Sequence, residues 1–437
     1  MNHQSGTSSS RREFVKTSSA AAIGGALVSQ LGFPSITSGA TNSDKLKIGL
    51  IGCGGRGTGA ANQTLNADSN VELYAMGDVF ESQLDKSIKA LKANHESKVN
   101  VPKERQFIGL DAYRKVLDCG VDVVVLTTPP GFRPTHFKAA IDAGKHVFLE
   151  KPMATDAPGL RSVMATALEA KQKKLSVVAG FMFRYDVVLG EFMKQIHDGA
   201  IGDIRAIFGS YYTGPVKPMP PAENRPPGMG DVEWQLRNWY NFTWICGDGL
   251  VEQAVHSIDK MAWVMKDVMP IKAVAVGGRQ SPNNEGNIYD HFEVNYEFPG
   301  DVRGFLVHRQ ISNCFGGVRD QIMGTKGLGV IGGRRSPGEI TGEKNWRYAG
   351  PPTPDMYQIE HNELYAGIRS GNPINNGDRM CTSTMMALMG RMAAYTGAEI
   401  TWEQALNSQE RLVLENLTWD MKLPIAPMAI PGRTKFI

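Results

Sequence analysis

Short apolar runs alternate with longer amphipathic segments in the part of the chain that begins near residue 45. Four of the runs are rich in β-branched residues and predict buried strands. They cover residues 45–51, 71–76, 121–126 and 146–149. The segments 81–94 and 136–143 have the spacing of helices. Strands that alternate with helices are typical of a doubly wound parallel α/β sheet, in which ligands bind beyond the carboxyl ends of the strands.

The second half of the chain has a different pattern, because polar and apolar positions alternate one by one. This alternation predicts strands at 204–212, 273–277, 292–298 and 302–309. Clusters of Gly, Pro and Asn separate them and are typical of antiparallel hairpins. Two helices are expected between residues 360 and 394. Residues 213–231 are rich in Pro and Gly, and so long an irregular stretch indicates a functional loop at the substrate entrance or at a contact with another subunit.

The composition is that of a folded, soluble protein. The chain has 437 residues, of which 42% are hydrophobic and 21% charged. These values exclude an intrinsically disordered chain and leave room for two or three domains. The net charge of +3 supplies no global field that would attract nucleic acid or an anionic membrane. The five cysteines are scattered and include no Cys-x-x-Cys pair, which excludes a zinc knuckle and a thioredoxin-type motif.

The first forty residues resemble a twin-arginine export signal. Arg11 and Arg12 precede an apolar run at 20–33, and residues 38–40 are small, as a signal peptidase requires. The run is too short and too rich in glycine to be a stable membrane anchor. We therefore expect the twin-arginine export machinery as a partner, a mature chain that starts near Thr41, and a periplasmic or otherwise exported location. The alternative is a disordered tail that happens to contain two arginines.

A glycine-rich sequence follows the first predicted strand directly. Gly52-Cys53-Gly54-Gly55-Arg56-Gly57 has the pattern GxGxxG. In this pattern the first glycine makes a tight turn, the second admits a pyrophosphate and the third allows close packing of the next helix. Asp78 ends the second predicted strand, where a carboxylate can bind both ribose hydroxyls of an adenosine and repel a 2′-phosphate. We predict NAD as the cofactor, with NADP as the second choice; a solvated turn residue is the alternative for Asp78.

Residues 143–152, Ala-Gly-Lys-His-Val-Phe-Leu-Glu-Lys-Pro, closely resemble the hallmark sequence of the Gfo/Idh/MocA oxidoreductases. This family is named for glucose–fructose oxidoreductase and inositol dehydrogenase. The resemblance extends to the glycine loop, to a Thr-Pro turn with His136, to the segments 180–185 and 323–327, and to the residues around His256.

The resemblance also implies a domain organisation. A signal at residues 1–40 is expected to precede a Rossmann domain at 41–170. An α+β domain with a large, mostly antiparallel sheet is expected at 171–437. Since the exposed face of that sheet often makes oligomer contacts in the family, we expect a homo-oligomer.

The resemblance assigns catalytic roles to three residues. It places Lys151 beside the nicotinamide, where an ammonium can hydrogen-bond the reacting oxygen; a surface lysine or one that binds only the ribose is the alternative. Glu252, His256 and Asp259 have helical spacing on one face of the segment 247–259. His256 matches the family's catalytic histidine and is the expected general base. Glu252 stands where many relatives have aspartate and is expected to position the substrate or the imidazole.

Further contacts are expected from residues that follow the predicted strands or match the family's motifs. The expected cofactor contacts are Gly52, Cys53, Gly54, Gly55, Arg56, Gly57, Asp78, Thr128, Pro129, His136, Glu150, Lys151 and Arg184. Aromatic planes beside polar groups suit a sugar ring. The expected substrate contacts are Tyr185, Arg237, Trp239 and Asp259. Glu252 and His256 could instead be two ligands of a metal, but nothing in the sequence brings a third ligand to them, so no metal is predicted.

These observations predict an exported NAD(P)-dependent oxidoreductase that acts on a secondary hydroxyl of a sugar, glycoside or polyol. Because no free nicotinamide pool exists outside the cytoplasm, the cofactor is expected to stay bound and to be recycled in each turnover. One alternative is a redox-neutral enzyme of the same family that cleaves a glycoside by oxidation, elimination and reduction. The other is a sensor that binds a nucleotide or a sugar without turnover.

Overall fold

The computed structural model of the protein describes residues 44–281, 283–332, 338–414 and 416–437. The predicted export signal at residues 1–40 lies outside the described residues. The strands and helices of the first part of the chain alternate. They are β1 (Leu46–Ile51), α1 (Gly55–Ala67), β2 (Val71–Asp78), α2 (Glu81–His95), β3 (Gln106–Ile108), α3 (Ala112–Asp118), β4 (Val123–Leu126), α4 (Arg133–Asp142), β5 (His146–Leu149), α5 (Ala157–Gln172) and β6 (Val177–Ala179).

These six strands form one parallel sheet with the order β3-β2-β1-β4-β5-β6. The four predicted strands are present, and every residue of β4 is fully buried, as expected for a parallel sheet covered on both faces. The strand order reverses between β1 and β4, which opens a crevice at their carboxyl ends. The helix predicted from His136 begins earlier, at Arg133, because Pro134 suits the first turn of a helix.

The second part of the chain supplies a larger sheet and seven helices among the described residues. The strands are β7 (Ile204–Thr213), β8 (Lys272–Gly278), β9 (His291–Glu297), β10 (Arg303–Gln310), β11 (Gly317–Gly324), β12 (Gly327–Ile331), β13 (Glu339–Gly342), β14 (Trp346–Arg347) and β15 (Ile400–Thr401). The helices are α6 (Val187–His197), α7 (Asp231–Arg237), α8 (Thr243–Cys246), α9 (Val255–Val264), α10 (Met356–Ser370), α11 (Gly377–Thr396) and α12 (Trp402–Asn407).

The nine strands have the order β14-β13-β12-β11-β7-β10-β9-β8-β15. The pair β7–β10 is parallel, and the other seven described pairs are antiparallel. The predicted α/β fold, a Rossmann-type sheet followed by a mostly antiparallel sheet, is therefore confirmed. Helix α9 packs closely on this sheet. A Cβ at Gly304 of β10 would lie only 2.5 Å from the sulfur of Met261, which belongs to α9.

The last helices return to the first sheet. Leu364 and Tyr365 of α10 are buried in the same apolar cluster as Leu46 and Val71, which belong to β1 and β2. Asn375 pairs with Val177 of β6 just before α11 begins. Both helices therefore hold the sheet that carries the glycine loop. Among the described helices, none combines the length and the apolar character needed to cross a membrane.

Candidate functional site

The glycine loop is closed on one side and open on the other. Gly52 has a φ of +95°, which favours glycine, and a Cβ at Gly57 would lie 1.9 Å from the carbonyl oxygen of Gly52. A Cβ at Gly54 or Gly55, by contrast, would meet no described atom within 4 Å. Helix α1 begins directly at Gly55, so its first N–H groups face the open side. This cradle fits the pyrophosphate of a dinucleotide.

Asp78 lies against this loop at the end of β2. Its carboxylate accepts hydrogen bonds from the backbone N–H of Cys53 at 2.6 Å and from that of Phe80 at 2.9 Å. Burial raises the pKa of Asp78, and these backbone donors oppose the rise. The carboxylate is thus fixed at the carboxyl end of β2, where a ribose of a bound dinucleotide would reach it.

Arg56 of the glycine loop is bound by two buried carboxylates. Its Nε donates to Glu150, and its guanidinium lies 3.5 Å from Glu360 of α10. Burial and the neighbouring Glu150 raise the pKa of Glu360, and Arg56 opposes this rise. The structure thus brings together Arg56 and Glu150, which were both predicted to contact the cofactor. Glu360 was not predicted, because it is distant in the sequence and belongs to no motif.

Lys151 and Glu252 form a buried ion pair. The Nζ of Lys151 donates to Oε1 of Glu252 at 3.0 Å and also to the backbone carbonyl of Glu252. Lys151 follows β5, and Glu252 belongs to the π-helical turn Leu250–Ala254 that precedes α9. Burial raises the pKa of Glu252, whereas the ammonium of Lys151 lowers it. The sequence predicted an α-helix over 247–259, but residues Leu250–Ala254 form a π-turn before α9 begins. Such π-turns are frequent at functional sites.

His256 lies in the first turn of α9 and is buried. Its ring stands edge-on to the rings of Phe181 and Phe183, with centroid distances of 6.4 and 5.7 Å. Both phenylalanines follow β6, which is the neighbour of β5 in the parallel sheet. The three predicted catalytic side chains, Lys151, Glu252 and His256, therefore meet the carboxyl ends of two adjacent strands.

The turn after β4 is closed by His136 and Arg133. Nδ1 of His136 lies 3.1 Å from Oγ1 of Thr128, and its ring stacks on Tyr113 with a centroid distance of 4.2 Å. Burial and the charge of Arg133 lower the pKa of His136 to about 3, so the imidazole is neutral at pH 7. Thr128 and His136, which are both expected cofactor contacts, are thus hydrogen-bonded to each other. Pro129, a third expected contact, lies between β4 and α4.

Arg133 is a site residue that the sequence reasoning missed. Its guanidinium is buried and donates to the carbonyls of Thr128 and Pro152, at 2.5 Å each. It thereby joins the turn after β4 to the turn that carries Lys151. Burial lowers the pKa of Arg133 to about 10, and the nearby carboxylates of Glu252 and Glu150 oppose this shift. The signal that could have identified Arg133 is its position directly before Pro134, at the start of the helix that follows β4.

Arg184 and Asp259 are joined to each other. The guanidinium of Arg184 bonds the carboxylate of Asp259 at 2.9 to 3.1 Å and that of Asp267 at 2.6 Å. Ser383 also donates to Asp259, at 2.7 Å. Their polar groups are therefore engaged in fixing the segment 180–185 to α9. The structure joins Arg184 and Asp259 as an ion pair, and their expected contacts with cofactor and substrate stay predictions.

The other expected substrate residues, Tyr185, Arg237 and Trp239, have contacts of their own in the structure. Tyr185 donates to Asn376 and accepts from Arg379, both at 2.8 Å, within the apolar cluster of the first sheet. Arg237 lies 4.2 Å from the ring centre of Phe80, beyond the end of β2, and Trp239 packs edge-on against Tyr240. The expected substrate contacts of these three residues stay predictions.

Within the described ranges, no group of three or more His, Cys, Asp and Glu side chains could hold a metal ion. Glu252 is paired with Lys151, and Nδ1 of His308 lies 3.0 Å from the carbonyl oxygen of Tyr211. His291 lies 2.8 Å from its neighbour Asp290.

Two family models match the chain. Residues 46–179 match an oxidoreductase family described as having an NAD-binding Rossmann fold, and residues 193–382 match the C-terminal alpha/beta domain of the same oxidoreductase family. The first model covers the glycine loop, Asp78 and Lys151. The second covers Glu252 and His256.

Curated relatives and solved structures agree with these matches. An inositol 2-dehydrogenase from Salmonella paratyphi B is 28% identical over 229 residues, which are 51% of this chain and 55% of that protein. A glycosyl hydrolase family 109 protein from Shewanella baltica is 28% identical over 167 residues, 38% of this chain and 34% of that protein. The chain thus spans about half the length of the inositol dehydrogenases from Salmonella. An aldose-aldose oxidoreductase from Caulobacter crescentus, solved with glycerol, shares the fold with a TM-score of 0.64 and 20% identity, covering 82% of this chain and 99% of that one.

Proposed function

Because the chain belongs to the Gfo/Idh/MocA family of oxidoreductases with an NAD-binding Rossmann fold, we propose that it oxidises a secondary hydroxyl of a sugar, glycoside or polyol. One observation carries this proposal. The buried pair Lys151–Glu252 and the imidazole of His256 lie at the carboxyl ends of β5 and β6, in the same parallel sheet as the open glycine cradle. A cation, a carboxylate and an imidazole are the groups that alcohol oxidation needs.

Each residue has a defined task in this reaction. NAD, when bound, supplies the acceptor for the hydride that leaves the carbon. Lys151 donates a hydrogen bond to the reacting oxygen and stabilises the negative charge that develops there. Glu252 fixes Lys151 through two acceptors, its Oε1 and its backbone carbonyl. His256 accepts the hydroxyl proton, and the rings of Phe181 and Phe183 keep its imidazole in one orientation.

We further propose that the cofactor stays bound and is recycled in each turnover. The end of β2, where the adenosine is expected, is enclosed by side chains from distant parts of the chain. The ring centre of Phe80 lies 4.2 Å from the guanidinium of Arg237 and 6.3 Å from the ring centre of Trp419. Phe80 also packs against an apolar cluster that includes Met219 and Leu423. Such an enclosure supports slow exchange, which an exported enzyme needs because no free nicotinamide pool surrounds it.

The alternative proposal is redox-neutral cleavage of a glycoside. One observation favours it: the relative from Shewanella baltica that carries the name of a glycosyl hydrolase family. In this reaction, oxidation of one ring carbon acidifies the neighbouring C–H, and elimination removes that proton and expels the leaving group as an alcohol. Water then adds to the resulting double bond, and the hydride returns to the oxidised carbon. The same three residues, Lys151, Glu252 and His256, suit the oxidation and reduction steps.

Export and self-association remain part of the proposal. The twin-arginine pattern at residues 10–16 supports an exported, periplasmic protein. On the second sheet, Val274 and Val276 of β8 are 44% and 66% exposed, so that apolar side chains on this face support a homo-oligomer. Light scattering of the wild type and of Val276→Asp tests this: dissociation in the variant supports the sheet face as the interface, and identical masses speak against it.

Release of the bound nucleotide is the decisive experiment for the function. Protein purified without added nucleotide is unfolded, and the small molecules released are identified by mass spectrometry. Stoichiometric NAD, together with product formation from sugars or polyols without added NAD, is the expected result. Protein that is empty and strictly dependent on added NAD would overturn cofactor recycling. Protein that binds no nucleotide would overturn the oxidoreductase proposal itself.

A further inference from the structure

A buried carboxylate stands at the entrance of the π-turn that carries Glu252. Asp248 is fully buried and has a φ of +88°, a conformation that is unusual for a residue with a side chain. Its carboxylate accepts from the backbone N–H of Gly249, from that of Tyr289 at 2.8 Å, and from the hydroxyl of Tyr395. These donors belong to the residue that precedes the π-turn, to the segment before β9, and to α11. Asp248 therefore fastens three separate parts of the chain together.

The backbone of Asp248 fixes Glu252 directly. Its carbonyl accepts from the N–H of Val251 at 3.0 Å and from the N–H of Glu252 at 2.9 Å. Glu252 in turn offers its carbonyl and its Oε1 to Nζ of Lys151. An unbroken series of hydrogen bonds thus runs from Tyr395 and Tyr289 through Asp248 and Glu252 to Lys151.

The packing on both sides of Asp248 allows the turn little freedom. Gly247 has a φ of +79°, and a Cβ there would lie 2.9 Å from the side chain of Val251. A Cβ at Gly249 would lie 2.8 Å from Nε2 of His308, which comes from β10. The backbone on either side of Asp248 is thus held against its neighbours. A displacement of the Asp248 carboxylate therefore also displaces Glu252.

We propose that Asp248 is a positioning residue, which holds the π-turn so that Glu252 presents two acceptors to Lys151. The inference rests on the proposed function, because Lys151 is the residue whose placement it controls. No feature of the sequence pattern singled out Asp248. Its role follows from contacts with Tyr289 and Tyr395, which are distant in the sequence.

The charge of Asp248 is expected to change near neutral pH. Burial raises its pKa to about 7, while the three donors favour the ionised form. The other titratable or charged groups that face it are Tyr395 and Arg391 from α11, Tyr289 and Arg279 from the region between β8 and β9, and Cys246 from α8. On protonation the carboxyl loses acceptor capacity towards these donors, and the π-turn loosens. Turnover should therefore decline as the pH falls below about 7.

The test compares Asp248→Asn with a matched buried aspartate. Asp248→Asn should lower kcat by about 10- to 100-fold with a nearly unchanged KM, because a displaced catalytic group slows the reaction more than it weakens binding. The decline of kcat below pH 7 should shift or disappear. Asp156→Asn is the control: Asp156 is also buried and accepts from the N–H of Gly159 and Leu412, both at 2.8 Å. Its kcat and pH profile should stay close to the wild type.

A second measurement does not depend on turnover. The rate at which an amine reagent, trinitrobenzenesulfonate, modifies Lys151 is followed by peptide mass spectrometry. Asp248→Asn should speed this modification several-fold, because a loosened turn frees the ammonium, and Asp156→Asn should not. Wild-type kcat, pH profile and labelling rate in Asp248→Asn would overturn the inference. If the wild type turns over no sugar or polyol, the proposed function fails, and the labelling rates alone decide the inference.

Discussion

Two buried lysine–carboxylate pairs lie on either side of His256, and they have different consequences. Glu252, four residues before the histidine, binds Lys151, and Lys260, four residues after it, binds Asp320 of β11. The first pair joins the end of β5 to the π-turn. The second is almost completely enclosed between α9 and the second sheet, with Lys260 4.7 Å from the ring centre of Phe183.

Burial of a charged side chain does not by itself identify a reactive group. Both pairs consist of the same chemical groups, and burial raises the pKa of both carboxylates, Glu252 and Asp320, against the pull of their lysines. What differs is their place in the fold. The Lys151 pair stands where a ligand of a parallel sheet binds, and the Lys260 pair stands inside a helix–sheet interface. We therefore assign chemistry to the first pair and stability to the second.

Replacing Lys151 gives the largest expected effect on activity. Lys151→Met should lower kcat by about 1,000-fold or more, because it removes the charge that stabilises the developing oxyanion. The nucleotide content should change little, since the side chain keeps a similar length, but the melting temperature should fall, because Glu252 is left as a buried charge without its partner. Steady-state kinetics and nucleotide release measure both. A variant with wild-type turnover would remove Lys151 from the mechanism, and a ligand-binding function that survives unchanged would favour a sensor.

Replacing Lys260 tests the other side of the comparison. Lys260→Met leaves Asp320 as an unpaired buried charge, which typically costs about 3–5 kcal/mol of unfolding free energy. Denaturant unfolding should show this loss. The double variant Lys260→Met with Asp320→Asn should recover part of it, because the unpaired charge is gone. If Lys260→Met lowers kcat at 20 °C by as much as Lys151→Met while the protein stays folded, the division of roles is wrong.

Two buried imidazoles should lower the stability of the protein in acid. Burial lowers the pKa of His136 to about 3 and that of His308 to about 4. Below about pH 6.5 the unfolded chain binds protons that these folded imidazoles do not, so each costs about 1.4 kcal/mol of stability per pH unit down to its folded pKa. The raised pKa of Asp248 acts in the opposite direction, so the test is the difference between the wild type and His308→Gln. As the pH falls from 7 to 5, the melting temperature of the variant should rise relative to that of the wild type. A difference that is constant over this range would contradict the expectation.

Shortening Glu252 gives the smallest expected effect and refines the first pair. Glu252→Asp withdraws the carboxylate by about 1.5 Å, so its 3.0 Å contact with Nζ of Lys151 is lost or lengthened. The backbone carbonyl of residue 252 still holds Lys151. We expect a loss of about tenfold in kcat, roughly 1.4 kcal/mol. A loss as large as that of Lys151→Met would mean that the carboxylate does more than position the lysine.

Local sequence patterns predicted the parts of the molecule that depend on neighbours in the chain. The strands of the first sheet and the glycine loop follow from short runs of residues, and Lys151, Glu252 and His256 came from a family resemblance that is itself built on local motifs. The π-turn could not be predicted, because residues four apart look the same at the start of an α-helix. Its geometry is set by Asp248 and by contacts with α11 and with the segment before β9.

Contacts between residues that are distant in the sequence could not be predicted. The ion pair between Arg184 and Asp259 is one of them, and their expected ligand contacts stay predictions. Arg133 and Glu360 were not singled out, because a buried charge cannot be recognised until the fold shows what surrounds it.

The return of α10 to the first sheet has a consequence for the order in which the protein is completed during synthesis. Arg56 emerges from the ribosome early, but its second carboxylate, Glu360, follows about 300 residues later. Leu364 and Tyr365, which seal the apolar cluster around β1 and β2, arrive with it. The apolar interior of the nucleotide-binding domain is therefore completed only after nearly the whole chain has been synthesised. Stable capture of a dinucleotide becomes one of the last events of biogenesis and can report that the chain has folded to its end.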